Sequence, residues 1–238
     1  MDAYSVELYK RYNIAPHVEA CSNNATFIQK LAQGKLAASS FNKWLFDDRL
    51  FVQAGAYFVA QLYVRAEADP IIPEEAMAVI QHAYAVLGPE MAHFEAKCKE
   101  RGVEMPKLPK IPTDPHEMVK TDPSAFYHLS SPNCRKYVEF VTKDVFQTPG
   151  LTASDLLYVF WITEAIYHRA FATAAASPIF QKTFQELDFV NWWGGRPFFK
   201  YVEEMAHQVQ NLPYSDVTRK LLVKVTELEN LFWSSAEQ

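Results

Sequence analysis

Residues 40–68, SFNKWLFDDRLFVQAGAYFVAQLYVRAEA, contain no proline and a single glycine, and their apolar side chains recur three and four positions apart. That spacing predicts a long amphipathic helix. A second such stretch follows, in which Met77, Ile80, Tyr84, Leu87, Met91, Phe94 and Cys98 alternate the same two spacings. Gly88 and Pro89 interrupt it and are expected to kink or split the helix.

Residues 103–118, VEMPKLPKIPTDPHEM, are rich in proline and lack any period, so they read as a surface linker between two helical halves. Further helices are predicted at roughly 131–147 and 153–176, the second opened by a Thr152–Asp155 capping box, with shorter ones at 178–187 and 197–211. The last is expected over about 214–234, with Ser215 and Asp216 as cap candidates. Strands are not called for anywhere. The fold class is therefore all-α, and the unbroken helical pattern favours one domain over 1–238.

Composition narrows the function. A hydrophobic fraction of 49% with only 7 glycines describes a packed globular chain. A net charge of -5 with acids and bases interspersed offers no basic stripe, so no nucleic-acid partner is expected. The N-terminal residues lack a basic and then apolar leader, and no window of about 18 residues is free of charge. Neither export nor a membrane partner is expected. Three cysteines without CxxC spacing fit a reducing, cytoplasmic setting better than a disulfide framework. There is no Gly-rich phosphate loop and no GxSxG elbow.

Acids placed on apolar helix faces carry the functional reading. At about 100° per residue, Phe41, Trp44, Leu45, Phe51, Val52, Phe58, Val59 and Leu62 share a face with Asp48 near its centre, whereas Asp47 falls toward the polar side with Lys43 and Arg65. In LLYVFWITEAIYHRAFATAAA, apolar on nearly every side, Glu164 is the one interior acid. Phe160, Trp161, Tyr167 and His168 lie a turn away and would raise its pKa by desolvation. An ion pair with His168 or Arg169 is the structural alternative. In the last helix Glu229 sits between Val225 and Trp233 on the apolar face while Glu227 points away.

Burying a carboxylate costs several kcal/mol unless it is paired. Three acids inside three long helices therefore imply a shared polar pocket, of the kind where acid–base chemistry clusters. Tyr137, Tyr167 and the Trp192–Gly195 turn supply aromatic walls. Flat walls with converging carboxylates suit a cationic or aminopyrimidine-like ring.

Two other chemistries compete. Glu90–His93 and Glu204–His207 are ExxH motifs in the chain order of a di-iron bundle, which would make an oxidase. Both lie beside the apolar stripes, so they read as surface or seam residues and no metal is expected. Cys134, near Tyr137, has no identifiable base and reads as an inert thiol.

The segments FNKWLFDDRLFV, SPNCRKYVEFV, WITEAIYHRAFA and ELENLFW together resemble the TenA (thiaminase II) family of the heme-oxygenase-like fold, over nearly the whole chain. The resemblance implies Asp48 at the family's invariant acid, with Asp47 replacing a glutamine, Tyr137 as a pocket tyrosine, and Glu229 as the closing carboxylate. WITEAIYHRAFA is similar to the Trp-x-x-Glu-x-x-Tyr of the glutamate-type subgroup, with Glu164 in place of a catalytic cysteine. Phe51 lies where many members have a tyrosine, and Trp193 where a pocket tyrosine is common.

What the resemblance implies is hydrolysis of N-formyl-4-amino-5-aminomethyl-2-methylpyrimidine to the aminomethyl compound, and of that to 4-amino-5-hydroxymethyl-2-methylpyrimidine. Glu164 and Glu229 would be catalytic. Asp48, Tyr137, Tyr167, Trp161, Trp193 and Phe51 would bind the pyrimidine substrate. No cofactor is implied, and a homodimer or homotetramer is. A non-catalytic pyrimidine-binding protein is a further alternative, and heme oxygenase activity a weaker one, since His17 has poor helical context.

Overall fold

The computed structural model describes residues 3–183 and 187–236, with backbone alone at 182, 183, 187 and 189. Three short helices open the chain: α1 (Tyr4–Arg11), α2 (Ala15–Cys21) and α3 (Thr26–Ala32). The two long periodic stretches form α4 (Ala38–Glu67) and α5 (Glu74–Glu100), packed along one another. The helix is not split at Gly88 and Pro89: α5 runs on through Pro89 as one element. Proline costs a helix one backbone hydrogen bond, and the buried side chains on either side of Pro89, from Ile80 to Phe94, hold α5 together across that gap.

The proline-rich segment is less detached than a surface linker. Val103, Met105, Leu108 and Ile111 pack onto the core, and the Tyr84 hydroxyl donates to the Pro112 carbonyl at 2.7 Å. A single turn, α6 (Pro115–Met118), lies against α4. Then come α7 (Pro132–Thr142), α8 (Ala153–Ala175), α9 (Pro178–Thr183), α10 (Leu187–Gly194), α11 (Arg196–Val209) and α12 (Asp216–Ser235). The helix expected over 178–187 is seen as α9, and 184–186 lie outside the described residues.

Of the Trp192–Gly195 segment, expected as a turn, Trp192–Gly194 is the end of helix α10 and Gly195 is the N-cap of α11. Gly194 lets that helix approach α8 closely: a Cβ there would lie 2.7 Å from the backbone carbon of Phe171. The contact carries the indole of Trp193 into the core beside Phe171, with ring centroids 5.3 Å apart.

Helices α8 and α12 are tied at their starts. Thr152 and Asp155 form the expected capping box, Ser215 and Thr218 form another, and the Thr218 hydroxyl donates to Asp155 at 2.5 Å. From that common origin Glu164 lies about 13 Å along α8 and Glu229 about 16 Å along α12, at 1.5 Å per residue. The buried side chains form one continuous core from Leu8 to Ala236. No strand occurs among the described residues, and no helix among them is long and apolar enough to cross a membrane.

Candidate active site

Helices α4, α5, α8 and α10 enclose a small recess of about 50 Å³. Its walls include Asp48, Phe51 and Gly55 from α4, Leu87 and Glu90 from α5, Phe160, Glu164 and Tyr167 from α8, and Trp193 from α10. A larger chamber of about 480 Å³ adjoins it, walled by α5, α8, α10 and α11 through His82, Val86, Trp192, Phe198 and Tyr201. Leu87, Glu90, Phe160 and Glu164 border both spaces. The two spaces thus share a wall, and that wall carries two carboxyls.

Asp48 is fully buried. The Tyr167 hydroxyl donates to its Oδ1, and Oδ2 has no hydrogen-bond partner among the described residues. Burial raises the Asp48 carboxyl well above the ordinary carboxylate range, the Tyr167 hydrogen bond opposes that rise, and Glu90, Glu229 and Asp47 add to it. Glu164 is likewise pushed well up by desolvation and then by the charges of Glu90 and Asp48. Neither Arg169, which pairs with Glu19, nor His168, whose ring meets the Trp193 carbonyl at 2.8 Å, neutralises it. The ion-pair alternative for Glu164 is therefore not what the fold builds.

Glu90 is the residue that helix-face reasoning misses. Its position reads as a seam beside the stripe of α5, yet burial pushes its carboxyl up to about 7 while the Trp193 indole N–H donates to it at 3.3 Å. What surface it keeps faces the cavity. The one sequence signal for it is its place in an ExxH motif, and the rest of that motif goes elsewhere. His93 stacks on Trp192, Glu204 accepts from Gln208, and His207 meets Gln210 on the exposed side of α11. Among the described residues no cluster of three or more His, Cys, Asp or Glu side chains could hold a metal ion.

The remaining expected site residues divide. Phe51, Tyr167 and Trp193 line the recess with Asp48 and Glu164. Tyr137 and Glu229 sit one layer behind it. The Tyr137 hydroxyl donates to Glu229 Oε1 at 2.8 Å, the Tyr137 ring packs on Phe51 with centroids 4.4 Å apart, and neither residue borders the cavity. Burial pushes the Glu229 carboxyl up to about 8.

Trp161 is not brought to the site. Its indole N–H donates to Ser5 at 3.2 Å and its ring stacks on Tyr9, because on α8 it points toward α1. Asp47 also departs from expectation. It is 3% exposed, and it accepts from the backbone N–H and hydroxyl of Ser131, the N-cap of α7, so the polar side of α4 is itself covered. Cys134 is buried with its thiol pushed well up by desolvation, the opposite of an activated nucleophile.

Among the residues bordering the cavity, His82 is the only base, against Asp48, Glu90, Glu164 and Asp188. Such a site favours a guest that brings N–H donors or positive charge.

Residues 12–238 match the model of the TENA/THI-4/PQQC family. The chain is 37% identical over 99% of its length to an uncharacterized protein of Schizosaccharomyces pombe, of which it covers 98%. It is 26% identical to a probable bifunctional TENA-E protein of Glycine max, over 89% of this chain and 86% of that one. A TenA homologue from Pyrococcus furiosus superposes with a TM-score of 0.72 at 18% identity, covering 98% of this chain and 99% of that one. One from P. horikoshii gives 0.70 at 12%, covering 98% of each. The shared architecture is the helical heme-oxygenase-like fold.

Proposed function

Since the chain belongs to the TENA/THI-4/PQQC family, whose membership points to thiamine salvage or pyrimidine-related chemistry, we propose that it is a glutamate-type aminopyrimidine hydrolase. It would convert N-formyl-4-amino-5-aminomethyl-2-methylpyrimidine to the aminomethyl compound, and that to 4-amino-5-hydroxymethyl-2-methylpyrimidine. The observation that carries this reading is Asp48: a fully buried carboxyl in an aromatic recess, braced by Tyr167, with one oxygen unpartnered.

A carboxyl held in this way matches the amidine edge of a 4-aminopyrimidine. It accepts from the exocyclic amine and shares a proton with the adjacent ring nitrogen. The recess takes that edge, and Phe51 and Trp193 border the ring faces. The C5 substituent then lies toward the shared wall and Glu164. A carboxylic acid kept neutral by burial can donate a proton to a departing amine, and no organic cofactor is needed for that step. The thiol found in cysteine-dependent relatives has no counterpart on α8, whose sequence contains no cysteine.

The test is direct. Purified protein is incubated with the formylated pyrimidine, the free amine and thiamine, and the products are followed by mass. Conversion of the first two to the hydroxymethyl compound is expected, with thiamine left largely intact. Asp48→Asn and Glu164→Gln should lose turnover, and Glu227→Gln, altered at an exposed acid of α12, should keep it. Folded Asp48→Asn and Glu164→Gln proteins as active as the parent, or tight product binding without any turnover, would refute the assignment.

A further inference from the structure

Resting on that reading, we propose that Glu90 and Glu164 form the acid–base pair of the hydrolysis at the wall common to recess and chamber, and that Glu229 stands behind the site as a positioning residue for Tyr137.

Location is the first reason. A ring whose amino edge meets Asp48 at the inner end of the recess projects its C5 substituent outward, and the only polar side chains bordering both spaces are Glu90 and Glu164. Glu90 reaches this wall from α5 and Glu164 from α8, so they approach the substituent from different helices. The Trp193 indole fixes Glu90 through Oε1, leaving its second oxygen to the cavity. Glu229 is differently placed. Its Oε1 takes the Tyr137 hydroxyl and its Oε2 has no hydrogen-bond partner among the described residues, but it borders neither space, and Phe51, packed on Tyr137, stands at the recess wall. The outer chamber receives the leaving group, against Trp192 and Tyr201.

The step balances with one water. For the free amine, the carboxylate of Glu90 takes a proton from water as the water oxygen bonds to the methylene carbon. The C–N electron pair leaves with nitrogen, which takes a proton from the carboxylic acid of Glu164, giving alcohol and ammonia. The two carboxyls have then exchanged forms, and a proton passing from Glu90 to Glu164 restores them. For the formylated compound the same pair directs water to the formyl carbon, and formate and the amine separate. Burial pushes Glu90 up to about 7 and raises Glu164 well above the ordinary carboxylate range, so each can hold a proton near neutral pH, as an acid–base pair must. The groups facing Glu90 are Asp48 from α4, Glu164 from α8, Asp188 at the chamber from α10, Tyr201 from α11 and His82 on its own helix.

Glu90→Gln, Glu164→Gln and Glu229→Gln are compared in steady-state assays on both pyrimidines across pH 5–9, with circular dichroism and calorimetric binding of the hydroxymethyl product as checks on folding and on the site. Glu90→Gln and Glu164→Gln should each lower kcat by about 100-fold or more with KM changed by less than about threefold. The parent's kcat/KM is expected to rise through about pH 7, and Glu90→Gln should abolish that rise. Glu229→Gln should keep kcat within about tenfold of the parent, because the amide oxygen still accepts from Tyr137.

A folded, product-binding Glu90→Gln with near-parent kcat overturns the pair. So does Glu229→Gln losing as much as Glu90→Gln. Failure of the parent protein to turn over either pyrimidine refutes instead the functional reading on which the pair rests.

Discussion

Replacing Glu229 by glutamine should stabilise the protein at alkaline pH, although it alters a fully buried polar group. Burial raises this carboxyl from 4.5 to about 8. Between those values the unfolded chain has already released the proton that the folded chain keeps. Stability is therefore fully present below about pH 4.5, declines as pH rises, and levels off above about 8. At ~1.4 kcal/mol per pKa unit the penalty cannot exceed about 5 kcal/mol. Relaxation and water entry reduce such costs, so about 2–3 kcal/mol is expected.

The side-chain amide introduced by Glu229→Gln cannot ionise, and its oxygen still accepts from Tyr137, so the penalty vanishes while the hydrogen bond stays. Urea denaturation at pH 5 and pH 9 measures the effect. Parent and variant should agree within about 1 kcal/mol at pH 5. At pH 9 the variant should be ahead by about 2–3 kcal/mol, roughly 4–12 °C in Tm for a chain of this size. A variant less stable than the parent at pH 9, or an advantage confined to pH 5, would show that the folded protein does not hold the Glu229 proton above the ordinary carboxylate range and that desolvation does not dominate it.

Three further outcomes are expected. Tyr167→Phe removes the hydroxyl that donates to Asp48 and should weaken binding of the hydroxymethyl product by about tenfold in calorimetry, the worth of one hydrogen bond to a charged or polar anchor. Gly194→Ala puts a Cβ 2.7 Å from the Phe171 backbone and should cost about 1–3 kcal/mol in denaturant unfolding, since backbone on α8 cannot rotate away. Asp47→Ala leaves the Ser131 N–H and hydroxyl at the start of α7 without their acceptor and should lower stability by about 2 kcal/mol in the same assay, with kcat changed little because Asp47 does not border the cavity.

The long elements are legible because each obeys one rule over many residues. The period of three and four in 40–68 and 70–102 could belong to nothing but helices, and α4 and α5 end within a few residues of where that period fails. The capping boxes at Thr152 and Ser215 are local chemistry and appear as such. Elements set by tertiary contact are harder. The pair of glycines closing Trp192–Gly195 reads as a turn, and only the close approach of α10 to Phe171 explains why Gly194 instead ends a helix.

The same distinction runs through the acids. Asp48, Glu164 and Glu229 lie on the apolar faces of their own helices, and a residue on such a face is buried whatever else the chain does. Asp47 and Glu90 lie off those faces, and each is covered by an element that the helix's own pattern cannot announce: Ser131 at the start of α7 caps over Asp47, and α10 brings the Trp193 indole onto Glu90. Burial by a face says only that a side chain is inside. Whether it borders a cavity depends on what the facing helix withholds, and here α4 withholds bulk at Gly55 beside Phe51 and Val52, while on the other side the Tyr137 ring fills the space in front of Glu229. The least conspicuous acid, Glu90, therefore reaches the cavity and the conspicuous Glu229 does not, so a substitution series confined to the three apolar-face acids would leave the wall between recess and chamber only half explored.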